Sequence, residues 1–169
     1  GSVSGSGVFG TGWAEIKAFP QQGFNFVQWS STDVEDQYAL NTYIFLSKDT
    51  EIEAIFEPAP VIAGSQNISS NWWQSDWFGT YWDVNGTWLY HTTLGWLHIP
   101  YYQQNELESI WVWIDKLDTW CWTGNQMYPH IYHDQLNAWT WIDLDRSSPA
   151  QLVLFQFDTD GMNGSWLIK

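Results

Sequence analysis

Six aromatic residues in the second half of the chain, Trp82, Trp88, Tyr90, Trp96, Trp111 and Trp113, are the side chains best suited to chemistry, and that chemistry is recognition. Flat rings stack on the C–H faces of sugars, and they enclose quaternary ammonium groups by cation–π attraction. Asp83, Asp115 and Gln103 lie near them in sequence and could hydrogen-bond sugar hydroxyls. The rings have a second possible use. Each large aromatic side chain buries roughly 150–250 Å², so a domain short of Leu and Val can build its core from them. Thirteen of the fifteen tryptophans fall between Asn71 and Trp166; this density leaves both uses open and predicts at least one exposed cluster.

Other chemistry finds less support. Histidine occurs only in the second half, at 91, 98, 130 and 133. His130-x-x-His133 followed by Asp134 suggests a metal site on a helix, but a strand sends the two imidazoles to opposite faces, so no metal is expected. Asp158-Thr159-Asp160-Gly161 resembles a calcium loop, yet Gly161 comes two positions early and no Glu closes the loop. A hairpin turn is the better reading, and Asp143-Leu144-Asp145 is similarly ambiguous. Carboxylate pairs such as Glu106/Glu108 and Asp115/Asp118 arise in any acidic chain. No nucleophile, zinc-protease or phosphate-loop motif accompanies them. Catalytic residues and cofactors are therefore expected to be none. Cys121, the single cysteine, sits between Trp120 and Trp122 and reads as a small buried hydrophobe.

The formal net charge is −14, and the acids are spread over both halves. A field of that sign repels phosphate backbones and anionic membrane surfaces, so nucleic acid is excluded as an expected partner. It is compatible with neutral glycans, cationic ligands, divalent cations or simple solubility. No apolar run reaches the roughly 18 residues of a membrane span, and membrane insertion is not expected. The chain reads as an excerpt of a longer exported protein, with an extracellular or cell-surface location and a signal peptide outside the excerpt.

Strands must position these rings. Residues 1–58 alternate in strand fashion at Val8-Phe9, Trp13 to Ala18, Phe24 to Trp29, Tyr43 to Leu46 and Glu51 to Phe56, separated by turn residues such as Pro20-Gln21-Gln22-Gly23. No segment has a helical period. Gly5-Ser6-Gly7-Val8-Phe9, Ile16 to Pro20, Gly23-Phe24-Asn25-Phe26-Val27-Gln28-Trp29 and Ile52 to Pro58 resemble the divergent internalin B-repeat module, a short β-rich repeat of large bacterial surface or secreted proteins. The resemblance implies a non-catalytic spacer or adhesion module and no particular ligand. Residues 59–70 are uncharged and rich in Pro, Ser and small side chains, which predicts a linker.

Residues 71–169 carry a rhythm. Trp88-Leu89-Tyr90-His91 leads to Leu94-Gly95-Trp96-Leu97-His98, and Trp111-Val112-Trp113-Ile114 leads to Thr119-Trp120-Cys121-Trp122. A third version begins at Trp139-Thr140-Trp141. The spacing predicts stacked antiparallel β-hairpins that share one core. Period two puts both rings of Trp-x-Trp on one face, and Leu89, Val112 and Ile114 make the other face apolar as well. Trp73 to Trp82, Trp88 to Leu97, Trp120 to Thr123 and Tyr128 to Tyr132 resemble a Trp-rich C-terminal module of large exported bacterial proteins. Gly95-Trp96 is more weakly similar to choline- and glucan-binding cell-wall repeats, with Asp118-Thr119-Trp120 lacking the glycine and the third unit lacking an equivalent.

The expected fold class is all-β, with a B-repeat-like module at 1–58, a linker at 59–70 and a Trp-rich hairpin module at 71–169. The expected function is extracellular attachment through a glycan or cell-envelope polymer bound to aromatic side chains. The competing reading is a structural or sorting cap that holds its parent at the cell surface by contact with another surface protein.

Overall fold

The computed structural model describes residues 1–21, 23–100, 109–158, 161 and 163–169. Gln103, Glu106, Glu108, Thr159 and Asp160, named above, lie outside the described residues. The chain is all-β, as its alternation predicts, and divides into two units, Gly1–Ala59 and Pro60–Lys169.

The first unit has five strands: β1 (Ser2–Ser4), β2 (Gly12–Phe19), β3 (Phe24–Trp29), β4 (Asn41–Leu46) and β5 (Ala54–Pro58). They form an antiparallel sheet in the order β1-β2-β4 and a β3-β5 pair. Alternation in β2 buries Ala14, Ile16 and Ala18 against Trp29, Val34 and Ile44. The Trp29 indole donates to the Ala39 carbonyl at 2.9 Å, which satisfies the one polar atom of the largest core side chain. The sequence places the first strand at Val8-Phe9; it forms at Ser2–Ser4 instead, and Val8 is exposed. Gly5 is the reason. It is left-handed at φ +113°, and a β-carbon there would stand 2.6 Å from the Glu15 carbonyl oxygen, so the chain can hug β2 only through a glycine.

Among the described residues the second unit is one antiparallel meander of eleven strands, paired in simple chain order. They are β6 (Gln66–Ser69), β7 (Trp72–Ser75), β8 (Gly79–Asp83), β9 (Trp88–His91), β10 (Gly95–His98), β11 (Ser109–Ile114), β12 (Thr119–Gly124), β13 (His130–His133), β14 (Ala138–Ile142), β15 (Val153–Phe157) and β16 (Gly164–Ile168). One face is lined by Leu89, Leu97, Ile110, Val112, Ile114, Cys121, Ile131, Ile142 and Leu154, all buried. The sheet curls around this aliphatic core: Trp77, in the β7–β8 turn, meets Tyr128, in the β12–β13 loop, edge to face at 5.9 Å. Lys116 reaches across to the Ala150 carbonyl at 2.9 Å.

Residues 59–70 are not a free linker. Val61 and Ile62 are buried in the second core, β6 pairs with β7, and the buried Tyr81 hydroxyl accepts from the Ile62 amide at 3.2 Å while donating to Ser65 at 3.0 Å. The absence of charge that suggested a linker instead suits a segment packed on a core.

A shared turn connects the hairpins. Ser75, His91 and His133 end their strands, and each accepts the backbone N–H three residues on, from Phe78, Leu94 and Leu136. The residue four positions on is left-handed each time: Gly79 (φ +93°), Gly95 (φ +76°) and Asn137 (φ +50°). Asp118 (φ +54°) takes the same place four residues after Ile114. Asp and Asn tolerate this conformation better than other residues with a β-carbon, so they are the glycine equivalents that a Gly-Trp signature misses.

Candidate binding face

The other face of the second unit carries the rings. Register aligns them into four rows that run across the strands. Trp72, Trp82, Tyr90 and Trp96 are consecutive cross-strand partners on β7 to β10. Trp88, His98, Trp113 and Trp120 follow on β9 to β12, then Trp111, Trp122, Tyr132 and Trp139 on β11 to β14. His130, Trp141, Phe155 and Trp166 complete the set on β13 to β16. Each row begins two strands after the last and two residues along it. The series ends where Gln74 faces Thr80 at one side and where Val153 faces Ile168, an aliphatic pair, at the other.

Within a row the last ring leans back over its predecessors. Trp139 lies 5.8 Å from Tyr132 and 5.9 Å from Trp122, and Trp166 lies 5.2 Å from Phe155 and 6.1 Å from Trp141. Trp120 does the same to Trp113 and His98, at 5.8 and 6.0 Å. These contacts are tilted or edge to face, the geometry aromatic quadrupoles favour, and each contributes roughly 0.5–1.5 kcal/mol beyond burial. Several rings still meet solvent: Trp82 is 40 % exposed, Trp96 43 % and Trp139 38 %, while neighbours such as Tyr90, Trp113 and Trp122 are half-buried.

All six sequence-predicted residues lie on this face. Trp82, Tyr90 and Trp96 share the first row, Trp88 and Trp113 the second, and Trp111 stands in the third. Of the two uses the sequence leaves open, core filling does not apply to these strands, because alternation turns Leu89, Val112 and Ile114 inward and the rings outward. Trp73 alone of the meander's strand tryptophans is buried. Trp122, Tyr132, Trp139 and Trp141 were not singled out, although the same aromatic-x-aromatic alternation marks them. The repeat is also displaced: Trp139 lies on the second strand of its hairpin, and His130-Ile131-Tyr132-His133 is the counterpart of Trp88 to His91.

Two of the hydrogen-bonding partners expected from sequence, Asp83 and Asp115, are elsewhere, and Gln103 is outside the described residues. Asp83 follows Trp82, so it turns to the opposite side, where its carboxylate accepts from the Gly86 amide at 2.6 Å; burial pushes its pKa up. Asp115 opens the tight turn between β11 and β12. His130 is exposed and His133 buried on opposite faces of β13, so they do not converge on one ion. His91 is buried; its Nε2–H donates to the Phe78 carbonyl at 2.7 Å, Nδ1 accepts from Thr93 and Leu94 at 3.0 Å, and burial lowers its pKa to about 4. Cys121 is a buried free thiol whose pKa is pushed up to about 12 by burial. Asp158 caps the β15–β16 turn, its amide bonded to the Asn163 carbonyl at 2.8 Å.

The first unit holds a cavity of about 540 Å³ between residues 3–11 and 46–52, floored by Ala14, Ile16, Trp29 and Ile44. Asp49 and Glu51 lie in its lining, next to Lys48. Residues 1–60 match the family model of the divergent InlB B-repeat domain. That B-repeat domain is a bacterial surface-associated type of module, and it is a non-catalytic type. For the second unit these comparisons support neither the Trp-rich exported module nor the choline- and glucan-binding repeats. No curated protein and no solved structure matches the chain.

Proposed function

We propose that the chain is a non-catalytic attachment module of a bacterial surface or secreted protein, in which the second unit's aromatic face holds a glycan or cell-envelope polymer. The observation that carries this reading is the set of four ring rows on the face opposite the aliphatic core. A fold that already has a dry core does not need sixteen more ring positions for burial, and contiguous exposed apolar surface marks an interaction site. The B-repeat domain supports the surface setting. No described helix is long and apolar enough to cross a membrane, and the strands of the ring face, four to six residues each, fall well short of the roughly 9–11 a bilayer-crossing strand needs.

The test is retention of the full chain on insoluble polysaccharides and bacterial envelope preparations. Selective retention that Trp96→Ala or Trp139→Ala weakens supports attachment through the face. Capture by envelope protein alone, unaffected by either substitution, would favour the structural or sorting cap.

A further inference from the structure

We infer that the polymer held by this face is an uncharged, extended β-linked polysaccharide lying across the strands, one chain segment to a row. The inference rests on the attachment reading above and narrows its ligand.

Charge is segregated on this unit. Residues 61–169 contain eleven acids and three bases, yet among the described residues no outward position of β7 to β16 is Asp, Glu, Lys or Arg. Asp76, Asp115, Asp118 and Asp134 sit in hairpin turns and Asp83 turns away from the rings. Of the unit's three cations, Lys116 donates to the Ala150 carbonyl, Arg146 pairs with Asp143 at 2.6 Å while lying 4.0 Å above the Trp166 ring, and Lys169, just past β16, acts on His133 of the opposite face. A polyanion would find acidic turns and no cation row to pair with. A quaternary ammonium needs several ring faces around one empty point, whereas these rings fill the space between them with tilted and edge-to-face contacts at 5–6 Å.

The geometry suits a neutral sugar chain. Neighbouring strands lie roughly 4.8 Å apart, close to the advance of one sugar unit in an extended β-linked chain, so four partners across four strands offer a ring at about every unit. Each row also holds one ring with a polar edge, Tyr90, His98, Tyr132 or His130 in turn, among rings whose only polar atom is the indole N–H. That mix gives C–H stacking along the chain with uncharged hydrogen bonding at one point per row.

The test uses the full chain on cellulose and chitin, with poly(glycerol phosphate) beads and immobilised choline beside them. Expected are retention on one or both neutral polymers that changes less than about twofold between low and roughly 1 M salt, and an affinity loss of about tenfold for Trp96→Ala and Trp139→Ala. Trp139→Tyr should restore much of the loss, and Trp13→Ala in the first unit should change nothing. Thermal unfolding of each variant separates lost binding from lost fold. Retention only on poly(glycerol phosphate) or choline, or retention on the neutral polymers that collapses with salt, would overturn the neutral-chain inference and leave the attachment reading standing. Retention on none of the four, nor on envelope preparations, would remove both.

Discussion

His91 makes the stability of the second unit depend on pH with a predictable sign. The imidazole is buried and neutral, held by Phe78, Thr93 and Leu94. Its pKa falls from 6.5 in the unfolded chain to about 4 in the fold because burial disfavours the cation. The neutral form is the one the fold binds, so its contribution is fully present above pH 6.5, declines as pH falls from 6.5 towards 4, and is gone below 4. A displacement of that size is worth roughly 3 kcal/mol in total, of which about 2.5 kcal/mol is lost between pH 7.5 and 4.5. Protonation also turns Nδ1 into a donor facing two backbone N–H groups, which breaks the β9–β10 turn. The assay is urea unfolding at several pH values, followed by tryptophan fluorescence, which reports chiefly on the second unit because thirteen of fifteen tryptophans lie there. Comparison with His91→Asn isolates the effect: the Asn carbonyl can still accept from the turn but cannot titrate, and the carboxylates and His133, whose pKa is also lowered, are common to both proteins. Stability of the wild type should fall about 2.5 kcal/mol further than that of the variant over this range. Equal pH slopes would refute the argument.

Three further outcomes follow from the same geometry. Leu97→Ala, in the aliphatic core, should cost about 3 kcal/mol, whereas Trp139→Ala on the ring face should cost about half that by removing two ring contacts; denaturant midpoints compare them. Gly79→Ala should lower the unfolding temperature, since the left-handed backbone costs roughly 1–2 kcal/mol and the new methyl would press on the His91 Nε2 at 3.1 Å; Asp118→Gly should raise the unfolding temperature, stabilising the fold by up to about 1 kcal/mol. The Cys121 thiol should resist a thiol reagent in the native protein at pH 8 and react on unfolding.

Much of the fold is legible in the residues. Period-two alternation announces strands in both units, and aromatic-x-aromatic flanked by Leu89, Val112 and Ile114 already says that each strand has two apolar faces. What alternation cannot supply is which face is inside. That depends on the curl of an eleven-stranded sheet, set by contacts such as Trp77 with Tyr128, which lie far apart in sequence. The third version of the rhythm misleads for a related reason: Trp111 opens a hairpin while Trp139 closes one, so like Trp-x-Trp motifs stand at unlike positions. Asn137 and Asp118 hide the turn repeat because a backbone conformation, not a residue type, is what recurs. Residues 59–70 are ambiguous in sequence because small uncharged residues serve a free tether and a strap over a core alike, and only the seating of Val61 and Ile62 decides between them. The first unit is the reverse case, where the spaced glycines and Phe-x-Phe-x-x-Trp already carry the B-repeat resemblance that the family match bears out.

The staggered rows bear on how such a sequence can change over generations. The hairpin of β11 and β12 gives Trp113 and Trp120 to one row and Trp111 and Trp122 to the next; the hairpins on either side divide their rings in the same way. Every hairpin is therefore an interchangeable tile with matching borders. Excising one tile, or duplicating it, joins a half-row to an equivalent half-row and leaves sets of four intact, so gene length can drift by whole hairpins while the pattern survives. An insertion of a single strand has no such neutrality, because it reverses chain direction and strands half a row. Val153 and Ile168, the aliphatic pair that the stagger brings next, are the edge at which the tiling stops.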